Sequence, residues 1–158
     1  SRLHYSSDWL YEMTCLNFLE DITKEKGGIP FPNKVSFISQ NWKKYPALIQ
    51  DSTLVTKIID IEKTINGRTY YYIPKEKVLP FAGQIKTGDI ILITTKKKGL
   101  DTAHVGIAIE NEGQIYLLHA SVSDKKVSVT TETLPDYLQR ITSHSGIMIG
   151  RLINFKSN

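Results

Sequence analysis

The sequence predicts an α+β protein, with a mostly antiparallel sheet drawn from the second half of the chain and helices supplied mainly by the first half. Three observations carry this. Residues Ser52 to Ile65 place Leu54, Ile58, Ile61 and Ile65 three or four apart and end on Asn66-Gly67, which is an amphipathic helix with its stop signal. Ile90 to Ile93 form an unbroken apolar run, the pattern of a central strand covered on both faces. Between Ala103 and Ser121 two apolar stretches flank the turn signal Asn111-Glu112-Gly113, which predicts a hairpin.

Taken in order, Ser7 or Asp8 can cap a short helix through about Thr14, with Trp9, Leu10 and Met13 at helical spacing. Leu16 to Thr23 reads as extended, and Gly27-Gly28-Ile29-Pro30-Phe31-Pro32 breaks regular structure. Val35 to Ile49 suggests one or two short helices followed by a loop at Pro46. After the Ser52–Ile65 helix, Arg68 to Ile73 is a strand with Tyr70 and Tyr72 on one face and Tyr71 on the other. Pro74 to Ile85 is a connection, and Lys96-Lys97-Lys98-Gly99-Leu100-Asp101 is a solvated loop ahead of His104. Val127 and Val129 mark another strand, Thr133-Leu134-Pro135 opens a capped helix, and Ile147 to Ile153 closes the chain as a strand. In all, about five strands are expected after residue 67. No internal repeat breaks the chain, so residues 1–158 read as a single domain.

Composition narrows the function classes. A chain of 158 residues is long enough for one sizeable core. Its net charge of +4 suits approach to anionic polymers, but the lysines are scattered and no stacking motif accompanies them, so nucleic acid is not an expected partner. One cysteine excludes an internal disulfide framework. No apolar run reaches the length of a membrane span, and because the chain starts at Ser1 the lack of an export signal is no evidence of cytoplasmic residence.

The residues with the clearest chemistry are His104 and His119. Alternation puts His104, Gly106 and Ala108 on one strand face and Val105, Ile107 and Ile109 on the other. A hairpin closing around Asn111 and Glu112 sets His104 opposite His119, Gly106 opposite Leu117 and Ala108 opposite Ile115, and opposed residues share a face. The small neighbours of His104 leave room for another element, most simply a helix. Adjacent imidazoles suit a base whose second nitrogen is held by a partner ring; equally, a histidine on a strand is often a hydrogen-bonded structural residue. Zinc wants about four N or S ligands, whereas the chain offers one Cys and four His, with His4 and His144 in unrelated contexts. No metal or cofactor is expected.

Gly88-Asp89-Ile90, Ala103-His104-Val105-Gly106-Ile107 and Leu118-His119-Ala120-Ser121 resemble, in order and spacing, the NlpC-type papain-like cysteine peptidases and amidases of bacterial cell-wall metabolism. With Ser1-Arg2-Leu3-His4-Tyr5, Ser7-Asp8-Trp9, Arg68 to Pro74 and Ser145 to Ile149 added, the resemblance is to the N-acetylmuramoyl-L-alanine amidase-like family and runs over nearly the whole chain. It implies a papain-like core, His104 as catalytic base, His119 as its orienting partner, a peptidoglycan fragment as substrate and an exported protein. Tyr5, Ser7, Asp8 and Trp9 become candidates for a substrate cleft.

The family's nucleophile lies in a motif Asp-Cys-x-Thr-Phe-x-Glu upstream of the segment that Ser1 to Trp9 resembles, so this chain reads as the later part of a longer amidase-like domain. Cys15, in Thr14-Cys15-Leu16-Asn17-Phe18-Leu19-Glu20, imitates the motif loosely without its Asp and Thr. Leu16, Phe18 and Leu19 look like core neighbours, so Cys15 is expected to be a small buried hydrophobe and not the nucleophile. A partner chain, a swapped segment or a rearranged core is then expected to cover the His104 face. The function expected is cysteine-type amide hydrolysis of peptidoglycan; the alternative is a non-catalytic remnant or a glycan- or peptide-binding module.

Overall fold

The structure, a computed structural model, describes residues 3–121 and 125–153. Ser1 and Arg2, which open the segment of family resemblance, lie outside them. The first half is helical: α1 (Ser6–Cys15), α2 (Phe37–Gln40), α3 (Pro46–Gln50) and α4 (Thr53–Asn66), interrupted by the short strands β1 (Leu19–Asp21) and β2 (Ile29–Pro30). Pro46 opens α3, where its fixed φ and missing N–H cost nothing. α4 buries Ile58, Glu62 and Ile65 and ends at Gly67. Its apolar side packs against Tyr5, Val35, Ile38 and Leu48, a helical layer with its own small core.

The second half supplies β3 (Tyr71–Pro74), α5 (Val78–Phe81), β4 (Ile90–Thr95), β5 (Thr102–Asn111), β6 (Gln114–Ser121), β7 (Lys126–Val129), α6 (Leu134–Arg140) and β8 (His144–Leu152). The segment expected to be a plain connection thus carries α5 and flanking 3-10 turns. The sheet is antiparallel in every strand pair, in the order β2-β3-β8-β4-β5-β6-β7, with β1 also on β8. β4 is central as its continuous apolar run requires: Ile91, Leu92 and Ile93 are fully buried. On one face Ile91, Ile93, Ile147, Ile149 and Leu117 pack under Leu134 and Leu138 of α6 and under Val78 and Phe81 of α5. On the other, Leu92 and Met148 pack against Leu10 of α1 and Leu19 of β1. Burying each such leucine contributes about 1.5–3 kcal/mol.

Three details depart from the sequence expectation. The β5–β6 hairpin pairs Ile107 with Leu118, Ala108 with Leu117 and Asn111 with Gln114, a shift of two positions from the expected register. Its turn residues are Glu112 and Gly113, both at positive φ (52° and 78°), the two-residue turn that matches strand twist and favours glycine second. A slip of two preserves the face, so His104 and His119 still point the same way. Second, the side of β5 bearing the branched residues is the open one. Val105 and Ile107 are 39% and 42% exposed, while Gly106 and Ala108 are buried. The room beside His104 is filled from the neighbouring strand: a methyl group at Gly106 would lie 2.6 Å from Cγ and Cδ1 of Leu117. Third, Cys15 is exposed. α1 ends there and Asn17 takes a left-handed φ of 60°, which turns the chain so that Leu19 enters the core while Leu16 and Phe18 stay 60% and 50% exposed.

Candidate active site

His104 leaves β5 and His119 leaves β6 toward the same face, and His104 Nε2 lies 2.7 Å from His119 Nδ1. The rings meet edge to face, with centroids 4.9 Å apart and planes at 88°. One proton sits between those nitrogens, so one ring donates and the other accepts. If His104 donates, its Nδ1 lone pair is free to take a proton; His119 then accepts at Nδ1 and fixes the orientation of the His104 ring. His104 is held below the ordinary histidine range by burial and by the neighbouring His119, so it is neutral and able to act as a base near pH 7.

A β-bulge lies next to His104. Ile93 pairs with His104 but Thr94 pairs with Thr102, leaving Ala103 as the extra residue. A second bulge, between β4 and β8, pairs Thr94 with Gly146 and Thr95 with His144, leaving Ser145 as the extra residue. An extra residue inverts the alternation beyond it. His144 therefore falls on the same face as Ile93, Ile147 and the histidine pair, a placement that simple alternation from Ile147 denies it.

His104, His119 and His144 line one open cavity of about 440 Å³, together with Ser128, Tyr137 and Arg140. Tyr137 of α6 links the imidazoles, its ring centroid 5.6 Å from that of His119 and 5.6 Å from that of His144. The N-cap that starts α6 is Thr133, whose Oγ1 accepts from the Asp136 N–H, and this short capped helix presents Tyr137 and Arg140 to the cavity. Arg140 donates from Nε and Nη2 to Glu132 Oε1 at 2.8 and 2.6 Å. His144 is 4% exposed, and its pKa is pushed down to about 4 by burial and by the charges of Lys75, His104 and Arg140. Tyr137 is pushed up by burial, so it keeps its hydroxyl proton.

A second cavity of about 250 Å³ opens on the other side of His104, bordered by His4, Tyr5, Tyr45, Asp101 and Ala103. Asp101 fixes this side: its buried carboxylate accepts from the Ser7 N–H at 2.7 Å through Oδ2 and from the Thr102 N–H at 2.7 Å through Oδ1. It caps α1 from outside the helix and ties it to the start of β5, so α1 is held against the strand that carries His104.

Among the four residues expected to form a substrate cleft, only Tyr5 borders a cavity that His104 also borders. Its hydroxyl is buried, donating to Glu62 Oε1 at 2.7 Å and accepting from the Ile38 N–H at 3.0 Å. Ser7 is buried; Asp8 forms an ion pair with Arg68; Trp9 packs beside Leu10 and Leu92. Asp8 and Trp9 border a separate depression with Leu3, His4 and Glu12. Cys15 borders neither of the cavities that His104 borders. Reasoning from sequence missed His144, Tyr137 and Arg140, and it set His4 and His144 in unrelated contexts although both lie in cavities shared with His104. Among the described residues no group of three His, Cys, Asp or Glu could hold a metal ion, and no helix is long and apolar enough to cross a membrane.

Comparison with known proteins adds the family context. The family model for AmiA-like proteins, N-acetylmuramoyl-L-alanine amidase-like, matches residues 1–147. A crystal structure of an N-acetylmuramoyl-L-alanine amidase from Bacteroides uniformis aligns with 98% of this chain and 65% of its own length, at 36% identity and a TM-score of 0.89. A candidate xylanase from Bacteroides fragilis aligns with 96% of this chain and 66% of its own length, at 37% identity and a TM-score of 0.88. A Legionella pneumophila protein at 22% identity and a TM-score of 0.65 shares the fold. No curated protein matches. The chain spans 65% and 66% of the two Bacteroides relatives' own lengths.

Proposed function

The chain belongs to the N-acetylmuramoyl-L-alanine amidase-like family, and from that premise we propose that it is part of a bacterial cell-wall amidase or peptidase that hydrolyses an amide of peptidoglycan by cysteine chemistry, on an NlpC-type, papain-like plan. The observation that carries this reading is the His104 Nε2 to His119 Nδ1 contact of 2.7 Å beside an open cavity. In the proposed cycle His104 Nδ1 takes the proton of a cysteine thiol, and the thiolate attacks the amide carbonyl carbon. His104 then returns the proton to the leaving amine nitrogen as the C–N bond breaks, leaving a thioester. A water, deprotonated by His104, attacks the thioester carbonyl; the acid is released and the thiolate is restored. His119 holds the His104 tautomer and ring orientation throughout.

The nucleophile in this reading is carried by a segment outside these 158 residues, delivered beside His104. Two observations favour that over Cys15. The relatives extend well beyond the matched region, and Cys15 sits exposed at the C-terminal end of α1 and borders neither cavity that His104 borders.

The name of the xylanase relative raises glycosidic cleavage as a rival chemistry. That reaction ordinarily needs a pair of carboxylates flanking the bond. Among the described residues the histidine cavity offers one carboxylate, Glu132, and Arg140 already engages it. Amide hydrolysis is therefore the better fit.

Incubation of the full-length protein with purified muropeptides, with products identified by mass spectrometry, tests the reading. The expected products are a free amine and a free carboxylic acid from one amide, lost in His104→Ala. Cleavage between sugars overturns the amide assignment. Binding without cleavage overturns the enzymatic one and leaves a glycan- or peptide-binding module.

A further inference from the structure

Two buried side-chain polar atoms in the described structure have no hydrogen-bond partner, Ser7 Oγ and His144 Nδ1. Leaving such a group unpaired costs about 1–3 kcal/mol, so each asks what satisfies it. Ser7 borders a void of about 20 Å³, room for one water at most. His144 differs in scale and in company. It borders the cavity of about 440 Å³ that also holds the histidine pair, and among the described residues nothing bonds either of its ring nitrogens.

The ring is nevertheless held in place. The Ser145 bulge turns it onto this face, the Ser145 hydroxyl donates to Thr94 Oγ1 at 2.8 Å, and the His144 N–H donates to the Ile141 carbonyl at 3.0 Å. Tyr137 packs against it at 5.6 Å. Lys75, itself buried, places Nζ 3.5 Å from the Leu138 and Ile141 carbonyls at the end of α6. Burial first, and then the charges of Lys75, His104 and Arg140, disfavour its protonation and keep it uncharged at neutral pH. An uncharged imidazole presents one N–H donor and one lone-pair acceptor. That pair matches an amide, which offers both, better than it matches a carboxylate, which only accepts.

We propose that His144 is a substrate-positioning residue, hydrogen-bonding an amide group of the peptidoglycan fragment in the cavity beside His104 and His119. This rests on the cavity's being the substrate site, as proposed above. His144 makes no bond to the reacting atoms; it fixes where the neighbouring amide sits, and through it the scissile one.

The test uses N-acetylmuramoyl-L-alanyl-D-isoglutamine as the ligand and the full-length protein carrying His104→Ala, so that the ligand is not consumed. The His144 ring signals, followed by NMR, are expected to shift saturably as ligand is added. Adding His144→Leu is expected to weaken binding about 3- to 10-fold, the loss of one neutral hydrogen bond, while His144→Gln restores most of it. In the protein with His104 intact, His144→Leu is expected to raise KM with little change in kcat. A ring signal that stays still at saturation, a leucine variant that binds as tightly as the parent, or the absence of saturable binding overturns the proposal. Hydrolysis with a silent His144 sinks this inference alone; a saturable His144 response without hydrolysis sinks the enzymatic reading and leaves the binding role standing.

Discussion

Two polar clusters, one buried in the helical layer and one half-buried at the histidine cavity, lie within one fold, and they are finished differently. In the helical layer Glu62 accepts from the Tyr5 hydroxyl, the Ser39 N–H and the Ser39 hydroxyl, and the Tyr5 oxygen accepts from the Ile38 N–H. Every group has its partner, and the network ties α1, α2 and α4 together. Across His104, the cavity cluster keeps one bond of 2.7 Å between His104 and His119 and leaves His144 unpaired. A satisfied network specifies structure, and in the proposal above the unsatisfied one beside an open cavity meets a substrate amide. The difference teaches which histidines and carboxylates to assign to function, and substitutions can break it in either direction.

The largest effect is expected at His104. In the full-length protein His104→Ala should lower the rate of muropeptide hydrolysis by about 10²–10⁴-fold, the range for loss of a general base, with a thermal midpoint close to that of the parent by calorimetry. The mirror result is expected in the other cluster. Glu62→Ala leaves the Tyr5 hydroxyl and the Ser39 N–H without an acceptor, while the Ser39 hydroxyl keeps the Ser36 carbonyl, and should cost about 2–4 kcal/mol in denaturant unfolding, while activity per folded molecule is kept. If Glu62→Ala abolishes activity without loss of stability, the contrast between the clusters is wrong.

The pH dependence of stability sharpens the contrast. His144 has a folded pKa near 4 against an ordinary 6.5, so between those values the unfolded chain binds the proton that the folded one refuses. Stability is therefore full above about pH 6.5 and falls as pH drops toward 4, by at most about 3 kcal/mol for this group; His104, also lowered, adds to the same trend. Urea unfolding at pH 7 and pH 4.5 should show a smaller drop for His144→Leu than for the parent.

Gly106 tests the packing that supports the pair. A methyl group there meets Leu117, and Gly106→Ala should cost about 1–3 kcal/mol through overpacking, read from the thermal midpoint. Cys15→Ala is expected to do least, within about 0.5 kcal/mol as for an exposed side chain away from special features, and to leave activity unchanged. Loss of activity in that variant would return the nucleophile to this chain.

Much of this was legible in the sequence, for reasons of period. The spacing of Leu54, Ile58 and Ile65 announces α4, although Ile61, read with them, is 44% exposed, and the run Ile90 to Ile93 announces the central strand. The alternation around His104 and His119 survives a register error of two because faces repeat every two residues. His144 was not legible, since the bulge at Ser145 inverts the alternation and nothing in Ser143-His144-Ser145-Gly146 marks it. Tyr5 and Glu62, 57 positions apart, are joined by tertiary packing alone. Cys15 was misplaced because Leu16 and Phe18 look like core residues, whereas the left-handed Asn17 turns them outward.

The central claim is that His119 holds His104 as an uncharged base with its Nδ1 lone pair free. Long-range ¹H–¹⁵N NMR of the histidine rings, followed from pH 8 to pH 4, measures this directly. The expected result is His104 as the Nε2–H tautomer at pH 7.5, titrating below the ordinary 6.5, with its tautomer preference lost in His119→Ala. A proton resident on Nδ1 of His104 at pH 7.5, or a His104 midpoint above 6.5, contradicts the account.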